Sequence, residues 1–211
     1  MEVPRIGHER HDSQGLDIVV INLDHRPDKL KDFDSNRLKG LPSYSRMRGT
    51  YIQPEEYKGK DIDVKQYGCF DSHIKIWKMV KRNTLILEDD AKLVRAFHIP
   101  PLPKDFDLYY LGCNDRHFGA KSGPRRGHFN HPEMRCWVHE ARQVLTTHAY
   151  IISPKGAEKA LKMPHYKDCV DVALWDVQKD GHSYYVRPSL FVQRAAHSDI
   201  HGKWINFEGI T

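Results

Sequence analysis

The sequence predicts an α/β domain with a mostly parallel sheet flanked by helices, and three observations lead to this prediction. Residues 16–23, LDIVVINL, are apolar on both faces and rich in β-branched side chains, as in a buried strand. The next segment, DHRPDKLKDF, suits a helix with Pro27 in its first turn. Apolar runs then keep alternating with segments of helical periodicity, which is typical of helix-covered parallel sheets.

The middle of the chain continues this alternation. YSRMRGTY suits a short second strand, and GCFDSHIKIWKMVKR has the periodicity of a helix. Phe70, Ile74 and Trp77 fall on one face of that helix, and Asp71 or Ser72 is the predicted cap at its start. NTLILEDD is the next predicted strand.

The second half is predicted from similar signals. After the proline-rich loop PPLPKDF, DLYYLGCN and HAYIIS suit strands, and residues 113–147 are interpreted as a long irregular segment. SPKGAEKALK suits a helix capped by Ser153 with Pro154 at its first position. DCVDVALWDVQKDG suits a helix ending at Gly181, and SYYVRPSLFVQ a last pair of strands.

Length and composition favour one globular domain over residues 16–211, preceded by a loosely held segment, residues 1–15. The chain is 39% hydrophobic and 29% charged, and no apolar run reaches the roughly 18 residues of a membrane span. The first residues lack a signal-peptide core, and the four cysteines contain no CxxC pair. We therefore expect no membrane span and a cytoplasmic location. The sequence closes without a clear stop signal, which leaves further domains of the natural chain open.

The net charge of +5 is mild, and the basic residues cluster locally only in residues 121–131, KSGPRRGHFNH. We interpret this cluster as a solvated loop, with an acceptor-binding loop as the sharper alternative. Aromatic residues do not interleave with a basic strand, so we expect no nucleic-acid partner.

The segment LILEDD ends a buried strand with three carboxylates, and two such charges about 4 Å apart repel each other by about 4 kcal/mol near a protein surface. Glu88 and Asp90 lie two residues apart and should point to one side, with Asp89 on the other. Such oxygen donors suit Mg²⁺ or Mn²⁺, so Glu88 and Asp90 are predicted metal ligands, joined by His197 from HSDI, with Asp199 of the same segment as the alternative. A solvated acidic turn and a structural histidine are the plain alternatives.

Ligands of such sheets bind at the carboxyl ends of strands. Asn22 and Asp24 could hydrogen-bond a base or ribose there, and Arg26 could reach a base or phosphate. Ser72 and His73, as the predicted start of a helix, would offer backbone N–H groups to an anion. A surface charge for Arg26 and simple helix capping for the other pair are the alternatives. Glu88 and Asp89 complete the predicted cofactor-binding set.

Several of these segments together resemble a known family. VVINLDHRPDKL, GCFDSHIKIWKM, LILEDD, AYIISPKGAEKAL, VDVALWD and HSDI resemble, in this order, motifs of glycosyltransferase family 25, which includes lipopolysaccharide-assembling and collagen-galactosylating enzymes. They cover most of residues 16–200. The chain also resembles N-terminal domains of multidomain glycosyltransferases from large viruses of green algae.

The family resemblance implies a GT-A fold and an inverting, metal-dependent transfer from a UDP-sugar to a glycan or glycoprotein. Mn²⁺ or Mg²⁺ would bridge the donor's diphosphate, and Asp171 would be the base that takes the acceptor proton. Asp176 is less favoured, being five residues further along. A carboxylate that only complements a helix dipole is the alternative for Asp171. The viral resemblance would place the enzyme in the host cytoplasm with a capsid-protein glycan as acceptor.

Other functions remain open at this stage. A glycoside hydrolase would use two carboxylates without a nucleotide. A non-catalytic nucleotide- or glycan-binding module would keep the acidic motif and tolerate loss of Asp171. A nucleic-acid binder would show steep salt dependence.

Overall fold

The central feature is an eight-stranded sheet with helices on both faces, seen in a computed structural model that describes residues 15–53, 64–114, 129–131, 135–165, 168–198 and 203–205. Its strands are β1 (Asp17–Asn22), β2 (Ser45–Arg48), β3 (Thr84–Glu88), β5 (Leu108–Asn114), β6 (Phe129–His131), β7 (Cys136–Glu140), β8 (Leu145–Ile152) and β9 (Ser183–Arg187). Four short strands form two small ribbons: β4 (Ala91–Leu93) with β10 (Phe191–Gln193), and β11 (Ala196–Ser198) with β12 (Lys203–Ile205). The helices are α1 (Pro27–Asp34), α2 (Val64–Trp77), α3 (Pro154–Lys162), α4 (Val170–Ala173) and α5 (Trp175–Gln178), and a 3₁₀ turn spans Ser35–Lys39.

The strand order is β2-β1-β3-β8-β5-β9-β7-β6. β1 runs parallel to β2 and β3, and β5 runs parallel to β9, whereas the other four pairings are antiparallel. The predicted α/β class, one sheet flanked by helices, is confirmed, and the strand directions are mixed because β8 enters between β3 and β5 in the opposite sense. The architecture is consistent with a GT-A-like domain.

Strand β1 is apolar on both faces because both faces of the sheet are covered. Val20 packs into a core that contains Phe33 of α1. Val19, on the opposite face, packs into a second core that contains Phe70 and Trp77 of α2. Each side chain is nearly inaccessible to water, which is why the run LDIVVINL shows no polar alternation.

Helix α3 begins as predicted. Ser153 Oγ accepts a hydrogen bond from the Gly156 N–H at 3.0 Å, and Pro154 occupies the first helical position. Lys159 fixes the helix beside the sheet, because its ammonium lies 2.6 Å from a carboxylate oxygen of Asp107, a fully buried residue directly before β5.

Three predicted elements need correction. Helix α2 begins at Val64, before the predicted caps Asp71 and Ser72, so the GCFDSH motif lies inside the helix and not at its start. The predicted helix ending at Gly181 is two short helices, α4 and α5, which meet at Leu174. The predicted irregular segment, residues 113–147, contains β7 and the start of β8, although residues 115–128 and 132–134 lie outside the described part.

Two further predictions concern the ends of the chain. The predicted last pair of strands forms as β9 and β10, but these two do not pair with each other: β9 joins the main sheet, β10 pairs with β4, and β11 and β12 follow them in the chain. The predicted loosely held segment lies outside the described residues except for Gly15.

Within the described segments, every helix is too short or too polar to cross a bilayer.

Candidate functional site

A cavity of about 160 Å³ opens at the carboxyl ends of β1 and β3. It is lined by those two strand ends, the loop after β2, one face of α2, Lys29 of α1 and Gln193 of β10. In the order β2-β1-β3, the chain steps to one side of β1 and then to the other, and crevices at such points are where open α/β sheets bind ligands.

All three carboxylates of LILEDD line this cavity. The expectation that Asp89 points away from the other two is wrong, because β3 ends at Glu88 and strand alternation does not continue past it. Asp89 Oδ2 accepts a hydrogen bond from the Asn22 amide at 2.7 Å, and Asp90 Oδ2 accepts one from the Gln193 amide at 2.8 Å. Asp90 Oδ1 is buried and has no hydrogen-bond partner among the described residues.

The electrostatics of Asp90 differ from those of its neighbour. Burial and the charge of Glu88 raise the pKa of Asp90 to about 7. Burial also acts to raise the pKa of Glu88, but the His73 ring 3.4 Å away and a hydrogen bond from Thr147 outweigh it and hold that pKa below its usual value. The crowded carboxylates and the orphaned Asp90 oxygen fit a hard divalent cation such as Mn²⁺ or Mg²⁺.

Asn22 is almost fully buried and joins several elements. Its amide nitrogen donates to the Arg26 carbonyl at 2.8 Å as well as to Asp89, and its amide oxygen accepts from Arg46 Nε at 3.0 Å. These contacts use most of its hydrogen-bonding capacity. Asn22 therefore lies at the predicted site, but its side chain is already engaged in linking the ends of β1 and β3.

Asp24 and Arg26 do not line the cavity. Asp24 is paired with Arg46 at 2.6 Å and with Arg48 at 2.8 Å, and the hydrogen bond from Arg46 lowers its pKa. Arg26 forms a two-pronged pair with Asp28, at 3.0 and 2.8 Å, which lowers the pKa of Asp28 to about 2. Asp24 and Arg26, which were both predicted to contact the nucleotide, are thus each already engaged in an ion pair.

Ser72 and His73 line the cavity, but the helix-start argument for them is wrong. They lie in the middle of α2, where backbone N–H groups bond within the helix and are not available to an anion. Ser72 Oγ donates to the Gly68 carbonyl at 2.7 Å and accepts from the Thr50 N–H at 2.8 Å.

His73 is fully buried against the acidic strand end. Its Nδ1 lies 2.9 Å from the Tyr150 hydroxyl, and its Nε2 lies 3.4 Å from Glu88 Oε1 without a hydrogen-bond partner among the described residues. Cys69, one helical turn earlier, completes a group in which one ligand atom from each of Cys69, His73 and Glu88 lies within 4.8 Å of the other two. Burial and the charge of Glu88 raise the pKa of the Cys69 thiol.

Sequence reasoning missed three residues of this site. Cys69 could have been found, since its spacing of four from His73 puts both on one face of a helix. Thr147, which donates to Glu88 Oε1 at 2.7 Å, lies in a segment interpreted as irregular. Gln193 reaches Asp90 only through the pairing of β10 with β4, which no local pattern indicates.

Asp171 lies in the first turn of α4 and outside the cavity lining. Its oxygens accept backbone hydrogen bonds from Val172 at 2.9 Å and from Thr146 at 3.0 Å. Thr146 has φ 73°, which is strained for a β-branched residue, and the next residue, Thr147, holds Glu88. Asp171 is therefore connected to the acidic site through this turn.

The remaining predicted residues lie elsewhere. Asp176 is exposed and paired with Lys179. His197 belongs to β11, where it pairs with Trp204, but its side chain and the whole of Asp199 lie outside the described part. Of the basic segment 121–131, only the strand β6 is described.

A protein-family model matches the part of the chain that contains the acidic site. The model of glycosyltransferase family 25 (LPS biosynthesis protein) matches residues 18–100, which contain β1 to β4 and all three carboxylates. The resemblance to glycosyltransferase family 25 is confirmed. Procollagen galactosyltransferase 1 from Danio rerio is 24% identical over 169 residues. The match covers 73% of this chain, and the chain spans 25% of that relative's length.

Two solved structures are also similar to the chain. The crystal structure of A197 from STIV has a TM-score of 0.40 at 10% identity, and the match covers 83% of this chain and 82% of that one. The nucleoside-diphosphate-sugar pyrophosphorylase from Vibrio cholerae RC9 has a TM-score of 0.34 at 13% identity, with 82% and 72% covered.

Proposed function

We propose that this chain is a glycosyltransferase domain that moves a sugar from a UDP-sugar to a hydroxyl of a glycan or glycoprotein, with inversion and with help from a divalent cation. The observation that carries the proposal is the buried Asp90 Oδ1, which has no hydrogen-bond partner in the described part of the chain and lies with Glu88 and Asp89 at the carboxyl ends of β1 and β3. A family 25 match over the same strands supports it.

The acidic end of β3 is the proposed metal site. Asp90 and Glu88 would hold Mn²⁺ or Mg²⁺, with His197 as the proposed third ligand. When bound, the ion would neutralise the diphosphate leaving group as the glycosidic bond breaks. Lys29 lines the same cavity and would face the anionic donor.

Uridine is the proposed nucleoside of the donor, with support from the family. Tyr51 lines the cavity and is 55% exposed, so its ring offers a surface on which a base could stack. Its ring contacts His25 edge-on, with centroids 4.6 Å apart. Since one relative is named a galactosyltransferase, UDP-galactose is the first donor to test.

Asp171 is the proposed base. Its carboxylate is partly exposed and is held in place by two backbone N–H groups. In this proposal it takes the proton of the acceptor hydroxyl while that oxygen attacks the anomeric carbon and the bond to UDP breaks.

The proposed location is cytoplasmic, including the host cytoplasm if the chain is viral. The four cysteines all lie in the described segments and none of them forms a disulfide, which suits a reducing compartment.

Calorimetry of UDP binding with and without Mn²⁺ tests the metal site. We expect Asp90→Asn to abolish the Mn²⁺-dependent part of the affinity with little change in melting temperature. Asp32→Asn, an exposed aspartate outside the cavity, is the matched control and should behave as wild type. Unchanged Mn²⁺-dependent affinity in Asp90→Asn would reject the assignment.

Turnover separates the candidate functions. A transferase should hydrolyse its UDP-sugar slowly in the presence of Mn²⁺ and absence of acceptor, whereas a binding module should bind UDP without any turnover. A glycoside hydrolase should cleave sugar substrates with neither nucleotide nor metal. Equal thermal protection by UDP, GDP and CDP would remove the uridine proposal alone.

A further inference from the structure

A second group of metal-ligating side chains lies against the proposed Mn²⁺ site and differs from it in chemistry. Cys69 and His73 face the cavity from one side of α2, and Glu88 faces it from the end of β3. We propose that Cys69, His73 and Glu88 form a binding site for Zn²⁺, with the fourth coordination position open to the cavity.

The spacing of the donors fits that ion. In tetrahedral zinc sites the ion lies about 2.0–2.1 Å from nitrogen and oxygen ligands, which puts two such ligands roughly 3.4 Å apart. His73 Nε2 and Glu88 Oε1 are 3.4 Å apart. The Cys69 sulfur belongs to the same group, in which one ligand atom from each residue lies within 4.8 Å of the other two, so all three donors border one small space.

His73 is arranged like a metal ligand. It is fully buried, its Nε2 has no hydrogen-bond partner among the described residues, and that atom faces Glu88. The other ring nitrogen lies against the Tyr150 hydroxyl, which also accepts a hydrogen bond from Trp77 Nε1 at 2.9 Å. Metal-binding histidines commonly have such a partner, which fixes the ring and the tautomer.

The two metal sites select different ions but share one residue. The Cys69 thiol, which would release its proton to solvent as the metal binds, and the His73 imidazole favour Zn²⁺, whereas the oxygens of Asp90 and Glu88 favour Mn²⁺ or Mg²⁺. Because Glu88 belongs to both sets, zinc and manganese should compete for the chain. The zinc site itself does not rest on the proposed transferase activity, since it is defined by binding of the metal alone.

Binding of Zn²⁺ and Co²⁺ to the full chain tests the site. Zinc affinity is measured by competition with a chromophoric chelator, and Co²⁺ reports sulfur ligation through its near-ultraviolet charge-transfer band. We expect the band in wild type, its loss in Cys69→Ser, and a fall in zinc affinity of more than about 100-fold, since even outer-shell changes cost 10–100-fold. Cys169→Ser changes a partly exposed cysteine outside the group and is the matched control. It should keep both the cobalt charge-transfer band and the zinc affinity.

A pair of variants separates this site from the manganese site. Cys69→Ser should lose zinc and keep Mn²⁺ binding, whereas Asp90→Asn should lose Mn²⁺ and keep zinc. Glu88→Gln is the second variant for the zinc set and should weaken both ions. A cobalt–sulfur band that persists in folded Cys69→Ser, no band in wild type, or unchanged zinc affinity in folded Glu88→Gln would overturn the proposal.

Discussion

At the scale of single residues, the site is held together by buried polar side chains that bond to each other before any ligand arrives. Asn22 bonds to Asp89, to Arg46 and to the Arg26 carbonyl. Thr147 and His73 approach the same oxygen of Glu88 from two directions. Such prearrangement lowers the cost of ordering the site when a ligand binds.

Replacing Asn22 with alanine should destabilise the fold. The change leaves Asp89 and the Arg26 carbonyl without this donor, and an unsatisfied buried group costs about 1–3 kcal/mol. We expect chemical denaturation to show a loss of about 2 kcal/mol in the free energy of unfolding. Asn36→Ala, a buried asparagine that bonds the β4 backbone and does not itself line the cavity, is the control for stability. It should lose similar stability but keep UDP affinity, which Asn22→Ala should lower; equal affinity in both variants would argue against a role for Asn22 in the site.

Replacing Asp171 with asparagine tests the proposed base. The side-chain NH₂ cannot accept one of the two backbone hydrogen bonds, so we expect a loss of about 1 kcal/mol in stability. If the carboxylate also takes the acceptor proton, transfer should fall by about 10²–10⁴-fold while UDP affinity is nearly unchanged. Asp176→Asn, an exposed carboxylate nearby in sequence, should match wild type in both assays. Lower stability with normal turnover would leave Asp171 as a residue that only holds the Thr146 turn.

At the scale of elements, helix α2 lies unusually close to the loop after β2. A Cβ atom at Gly68 would lie 2.5 Å from the Thr50 carbonyl oxygen, which is backbone and cannot rotate away. Ser72, one turn later, accepts the Thr50 N–H, so two turns of the helix are fixed against one residue of the cavity wall.

Gly68→Ala should therefore push α2 away from this loop. We expect a loss of about 1–3 kcal/mol in stability, the usual cost of overpacking, together with weaker UDP binding. Gly49→Ala is the control, since its Cβ would meet first the Leu23 side chain at 3.1 Å, which can move. Equal melting temperatures for the two variants would contradict the close approach.

Local sequence signals predicted the elements that depend on local chemistry. The apolar run of β1 and the Ser153 cap of α3 are confirmed because burial on both faces and capping leave direct marks in a few adjacent residues. The start of α2 was missed because its first turn, which begins at Val64, precedes the segment GCFDSHIKIWKMVKR whose apolar periodicity predicts the helix. The Gln193–Asp90 contact could not be predicted, since it depends on two strands about a hundred residues apart.

At the scale of the whole molecule, the buried site makes stability depend on pH in two opposing ways. Burial lowers the pKa of His148, so the unfolded chain binds a proton there that the folded chain resists. Burial and Glu88 raise the pKa of Asp90, so the folded chain binds the extra proton at that residue. As the pH falls below about 6.5, His148 therefore removes stability, whereas Asp90 gains a proton and adds some.

His148→Gln isolates the first contribution. Both proteins are unfolded by denaturant in the presence of a chelator, from pH 8 to pH 5, so that Asp90 contributes equally and cancels in the difference. Relative to the variant, wild type should lose stability below about pH 6.5, with a slope of up to about 1.4 kcal/mol per pH unit for one proton. Parallel stability curves over that range would show that His148 titrates alike in the folded and unfolded chains.

The contact between Gln193 and Asp90 also bears on the order in which the protein is made. Synthesis proceeds from the N-terminus, so the three carboxylates leave the ribosome long before Gln193, which lies 103 positions after its hydrogen-bond partner Asp90. Until β10 is available to pair with β4, the end of β3 lacks this partner, and the nascent chain carries an acidic, incomplete pocket. A competent ligand pocket should therefore form only late in synthesis, after the residues around Phe191 have emerged.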